Sequence, residues 1–100
     1  MVDGEKIRLA FFKGIENLTD NSTAHVAEWH IQNVHKLAWD KFVDEPMRFE
    51  YALYDIFGEV YKVVEEEVAM EIALAFSIDY NGENFVQLAK KFKSSQTVSK

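Results

Sequence analysis

Apolar positions recur at helical spacing from the first residues of the chain. Over residues 5–18, Ile7, Phe11, Ile15 and Leu18 fall on one face, with Lys13, Glu16 and Asn17 opposite. This predicts an amphipathic helix. Residues 19–23 form a turn cluster, in which Ser22 or Thr23 is expected to cap the next helix by accepting a first-turn N–H. The second helix is predicted over residues 24–44. Glu45 and Pro46 stop it, because proline disfavours helical geometry in the residue before it. Asp44 or Glu45 then caps a third helix, with Pro46 in its first turn.

The third segment, residues 46–77, has two readings. As a helix it carries a polar stripe of Asp55, Glu59, Lys62 and Glu66, continued by Ala69, Ala73 and Ser77. Leu53, Phe57, Val60, Val64, Val68 and Ile72 make its apolar face. Its length would be ~48 Å at 1.5 Å per residue, with Gly58 the place for a bend or break. As a strand, Val68, Met70, Ile72, Leu74, Phe76, Ile78 and Tyr80 alternate, and Asn81-Gly82 supplies a hairpin turn. The intervening residues are largely Glu and Ala, which favour helices and are depleted in strands, so helix is preferred. A last short helix follows over 83–93, with Phe85, Leu88, Ala89 and Phe92 inward. The expected fold is all-α: a four-helix, bundle-like domain over residues 1–92 with a long third helix and a flexible polar tail over 93–100. The alternative is α+β with a hairpin around Asn81-Gly82. One Pro and four Gly favour long elements over many short strands.

Composition narrows the function classes. A chain of 100 residues with 48% apolar residues suits one domain with one core. No apolar run reaches the roughly 18 residues of a membrane span. The opening MVDGEKIRLAFFKG carries charges through its apolar stretch and lacks a small-residue cleavage site, so no signal peptide is expected. There is no Cys, which removes disulfides, thiolate nucleophiles and Cys-based zinc sites and fits a cytoplasmic protein. The sequons at Asn17 and Asn21 read as chance matches in that setting. Net charge is −6 and uneven: residues 44–83 hold eleven acids and two bases, while 84–100 hold four Lys and no acid. With only two Arg, direct nucleic-acid binding is not expected, because phosphate neutralisation needs clustered bases. An acidic middle can face a basic partner.

The stretch HVAEWHIQNVHKLAW, residues 25–39, holds every His and Trp of the chain. On a helical wheel Val26, Ala27, His30, Ile31, Val34, Leu37, Ala38 and Phe42 share the core arc. His25, Glu28, Trp29, Gln32, Asn33, His35, Lys36, Trp39, Asp40 and Val43 share the other. The histidines therefore diverge. His25 and His35 lie ~15 Å apart along the axis, too far for one ion with ~2 Å bonds. Two surface histidines and one hydrogen-bonded core histidine, His30, are expected. Trp29 and Trp39 on a polar face need cover, either from another helix of the fold or from a partner, since Trp and Tyr anchor interfaces. Tyr51, Tyr54 and Tyr61 extend that possibility.

No glycine-rich phosphate loop, HExxH or EF-hand spacing occurs, and no nucleophile stands out. Asp55, Glu59 and Glu66 read as a solvated face, and Glu65, Glu66 and Glu67 wrap around the helix axis. The leading expectation is a non-enzymatic domain that binds another protein and occludes it, as small inhibitor, immunity or viral anti-host proteins do. Its surface is expected from Trp29, Trp39, Glu28, His35, Tyr54, Asp55, Glu59 and Glu66, with no cofactor and no metal. A homodimer is plausible through the long helix. Two other readings follow from the same residues. One is a DNA mimic presenting Asp55, Glu59, Glu65, Glu66 and Glu71. The other is a small metal- or ligand-binding enzyme using His25, Glu28 and His35.

Overall fold

The computed structural model describes residues 2–98, with side chains described through Ser94. The fold is all-α. Its helices are α1 (Gly4–Leu18), α2 (Asn21–Asn33), α3 (Pro46–Phe57), α4 (Tyr61–Ala75) and α5 (Phe85–Val98), with single 3-10 turns at Trp39–Lys41 and Gly58–Val60. No strand occurs among the described residues, and Asn81 and Gly82 lie in an irregular connection. The expected polar tail is helical in backbone as far as Val98; residues 99 and 100 lie outside the described residues.

Helix α1 follows its periodicity. Asp3 Oδ1 accepts the N–H of Glu5 and Lys6, and Ile7, Phe11 and Ile15 are buried, while Leu18 at the last turn is exposed. Helix α2 begins earlier than expected. Asp20, rather than Ser22 or Thr23, is the cap and accepts from Thr23 N–H at 2.7 Å. Helix α3 starts at Pro46 with Glu45 in the cap position, though without a side-chain cap bond.

The predicted second helix, 24–44, stops eleven residues early. Val34 is the C-cap of α2, Lys36 adopts φ 57°, and Leu37 N–H returns to Ile31 C=O at 3.1 Å. The reason is burial. A continuous helix would point Leu37 and Phe42 inward but Trp39 and Val43 outward. With the helix broken, Leu37, Phe42 and Val43 are all buried and Trp39 packs against the core. The burial of several large apolar groups outweighs the ~1–2 kcal/mol of a left-handed residue. Val26 and Val34, which the wheel had placed inside, are exposed, and α2 turns Ala24, Ala27 and Ile31 to the core instead.

The predicted 46–77 helix is two helices. Gly58 takes φ 67° and ψ −141° after α3, and a 3-10 turn leads into α4. A single helix of ~48 Å would exceed the 41 Å long axis of the molecule. The turn lets α4 pack on both α1 and α3. It also shifts the faces: Ala69 and Ala73 are buried instead of continuing the polar stripe, and Val60 is exposed. Helix α4 ends in a Schellman-type cap, with Ser77 at φ 57° and Ile78 N–H bonded to Ala73 C=O at 2.8 Å.

The core centre is aromatic. Phe11 of α1, Phe42 after the first 3-10 turn, Phe49 of α3 and Phe85 of α5 are fully buried. Their rings meet at 5.0–6.0 Å, mostly edge-on or tilted. Leu88, Ala89 and Phe92 of α5 are inward as the spacing predicts.

Candidate protein-interaction surface

Helix α3 separates two sets of large side chains. Phe49, Ala52 and Leu53 enter the core. Met47, Tyr51 and Tyr54, at i, i+4 and i+7, leave the opposite side and are 69%, 60% and 49% exposed. The rings of Tyr51 and Tyr54 lie 6.5 Å apart, and Tyr54 meets Tyr61 edge-on at 5.5 Å. The result is a continuous tyrosine ridge from α3 to the start of α4.

The end of α2 builds one flank of this ridge. His35 stands edge-on to Tyr51 at 5.8 Å, and its Nε2 is 3.0 Å from Asp55 Oδ2. The early exit of α2 therefore brings a histidine onto α3. His35, Leu37, Met47, Arg48 and Tyr51 enclose a shallow cavity of about 350 Å³. Asp55 and Glu50 lie on either side of the Met47, Tyr51 and Tyr54 line, and Glu59 follows in the 3-10 turn, exposed. Arg48 is tied to Glu45 at 3.0 Å, so the border of the ridge is predominantly acidic.

The predicted site residues divide. His35, Tyr54 and Asp55 come together here. Trp29 is 57% exposed on α2, where Val26 and Val34 are exposed too. Trp39 is covered within the fold: its ring meets Phe11 at 5.2 Å and Phe49 at 6.0 Å, and its Nε1–H donates to Gln32 Oε1 at 2.7 Å. It does not contribute a free aromatic face. Glu28 is engaged by Arg8 at 2.6 Å and Glu5 holds the same guanidinium, an arrangement that lowers the Glu5 carboxyl below its ordinary range. Glu66 is exposed in a different place, on a cavity of about 530 Å³ between Glu50, the start of α4 and the 80–84 connection.

The residues of the other two readings are also dispersed. His25 packs edge-on to Phe12 at 4.8 Å, Glu28 belongs to Arg8 and His35 to Asp55. Among the described residues no group of three or more His, Asp or Glu is placed to hold a metal ion. His30 is half-buried against Trp29, and its Nδ1 has no hydrogen-bond partner among the described residues, contrary to the expected hydrogen-bonded core histidine. Of the acids proposed as phosphate stand-ins, Glu65 points into the protein and is 5% exposed, and Glu71 accepts from Asn17 at 3.1 Å.

Met47 and Tyr51 are the surface residues that periodicity passed over or left marginal. Treating 46–77 as one helix blended their face with that of α4. Ending α3 at residue 57 makes the i, i+4, i+7 line visible. No family model matches the chain, and neither does any curated protein or solved structure. No helix among the described residues is long and apolar enough to cross a membrane.

Proposed function

We propose that this chain is a non-enzymatic protein-binding domain that occludes its partner through the α3 ridge. The observation that carries the reading is the line of Met47, Tyr51 and Tyr54, large side chains that the rest of the fold leaves about half or more exposed. Tyrosine bears a rigid apolar body and a polar tip, which suits an interface anchor. The shallow cavity beside Tyr51 accepts one apolar side chain of the partner. Asp55 and Glu59 favour a partner with Lys or Arg around that side chain. The absence of Cys supports a cytoplasmic setting.

Affinity capture from the source cells, with wild type and Tyr51→Ala side by side, tests the reading. A protein retained by the wild type and lost from the folded variant supports it. If Tyr51 is a central anchor, its truncation costs at least ~2 kcal/mol, about thirtyfold in affinity. Equal retention by both chains sinks it. A concentration-dependent dimer in light scattering that Tyr51→Ala dissolves would assign the ridge to a second copy of this chain instead.

A further inference from the structure

The Glu65 carboxyl is the buried charged side chain of the described residues, 5% exposed, and it sits where three helices meet. It belongs to α4. Its Oε2 accepts the N–H of Phe85, the first residue of α5, at 2.9 Å. Glu50 of α3 lines the same cavity and helps raise the Glu65 carboxyl above its ordinary range. Two carboxylates on one cavity repel each other, and a proton on one of them relieves the repulsion and supplies a donor for the other.

We propose that Glu65 and Glu50 form a proton-dependent latch that fastens the start of α5 to α3 and α4, and loosens as the pH rises. With one proton present, Glu65 donates to Glu50 and accepts from Phe85, so a single side chain bridges three helices. Without it, two negative groups face the same cavity, and one of them, Glu65, is buried. The surroundings do not compensate. From α4 come Lys62, Glu66 and Tyr61, and from the 80–84 connection come Tyr80 and Glu83. Neither α1 nor α2 contributes to this lining. Lys62 is the one cation in this lining, and with Glu83 paired to Lys91 it stands against Glu50, Glu65 and Glu66. The Tyr80 hydroxyl is buried with no hydrogen-bond partner among the described residues.

Other contacts at this junction do not titrate with Glu65. Asn84 and Gln87 cap each other reciprocally, with Gln87 N–H on Asn84 Oδ1 at 2.9 Å and Asn84 N–H on Gln87 Oε1 at 3.0 Å. Lys91 Nζ binds Glu83 Oε2 and Asp79 C=O, each at 2.7 Å. These bonds keep α5 formed while its attachment to Glu65 changes. Burial first, and the Glu50 hydrogen bond second, raise the Glu65 carboxyl from 4.5 to about 8, against the opposing pull of the Phe85 N–H. The folded chain thus keeps a proton that the unfolded chain releases. The stabilisation is complete below the ordinary carboxyl range and is lost as the pH climbs towards about 8.

The deciding measurement is the opening free energy of the Phe85 amide, by hydrogen exchange in NMR from about pH 5 to about pH 9. Wild type is expected to lose protection over this range. Glu65→Gln, which accepts from Phe85 and donates to Glu50 without titrating, is expected to stay level. Glu50→Gln removes the facing charge and moves the wild-type transition to lower pH. The same pH profile in Glu65→Gln, or a flat wild-type profile, overturns the latch. Should Glu65→Gln fail to fold, the carboxyl carbon shift of Glu65 in the wild type decides: a midpoint near 8 supports the latch, and one near 4.5 overturns it.

Discussion

Tyr51 and Phe49 stand two residues apart on α3 and leave it on opposite sides, so one builds the surface and the other the core. The two tryptophans divide in the same way, and their substitutions should too. Trp39 touches Phe11 and Phe49 and bonds to Gln32, so Trp39→Ala opens a gap beside the aromatic core. As the ring is partly buried, a loss of about 2–4 kcal/mol is expected, below the largest core truncations. Trp29→Ala on the exposed side of α2 should stay within about 0.5 kcal/mol. Denaturant unfolding of both variants checks this; equal costs would mean that Trp39 is no part of the core. The sequence showed that both indoles sat among polar neighbours and needed cover. It could not show that Trp39 was covered from α1, because Phe11 lies 28 positions away. Glu65 was equally hidden. Among three consecutive glutamates nothing local marks the one that turns inward.

At the scale of elements, two glycines act through different physics. Gly14 of α1 is buried against α4, and a Cβ there would lie 2.8 Å from Val68 Cα. That neighbour is backbone and cannot swing away, so Gly14→Ala should force the helices apart. A cost of about 1–3 kcal/mol is expected, which overrides the ~1 kcal/mol that alanine gains in helix propensity. Gly58 has open space around its missing Cβ but a φ of 67°. Gly58→Ala should cost about 1 kcal/mol through conformation alone. Thermal unfolding of the two variants compares them; a stabilised Gly14→Ala would mean that the α1 and α4 contact is looser than drawn. Helices α1 and α5 were legible because each buries one continuous stripe. The second predicted helix was too long because the turn that ends it carries no local signal, whereas the third breaks at Gly58, the residue named for a bend or break. Lys36 leaves the helix without a glycine or proline to announce it, and only the burial of Leu37, Phe42 and Val43 explains why.

For the whole molecule, charge sets how a partner arrives. Eleven of the seventeen acids fall within residues 44–83, the segment that contains the ridge. If the proposed partner is basic there, the association rate should fall severalfold between about 0.05 and about 0.5 M salt, while dissociation changes little. Stopped-flow mixing with the captured partner measures it; a salt-independent rate would leave recognition to the apolar contacts alone. The sequence by itself determined the all-helical class, through helical spacing and the Glu and Ala between apolar positions, the inner faces of α1 and α5 and the acidic character of the middle, because these depend on composition and on neighbours within a few residues. Tertiary structure decided where α2 stops, which tryptophan is free, that His35 meets Asp55 and Tyr51, and that Glu65 turns inward to Phe85. Each of these turns on apolar burial or hydrogen bonding between distant segments, and such gains exceed the small local preferences that a sequence displays.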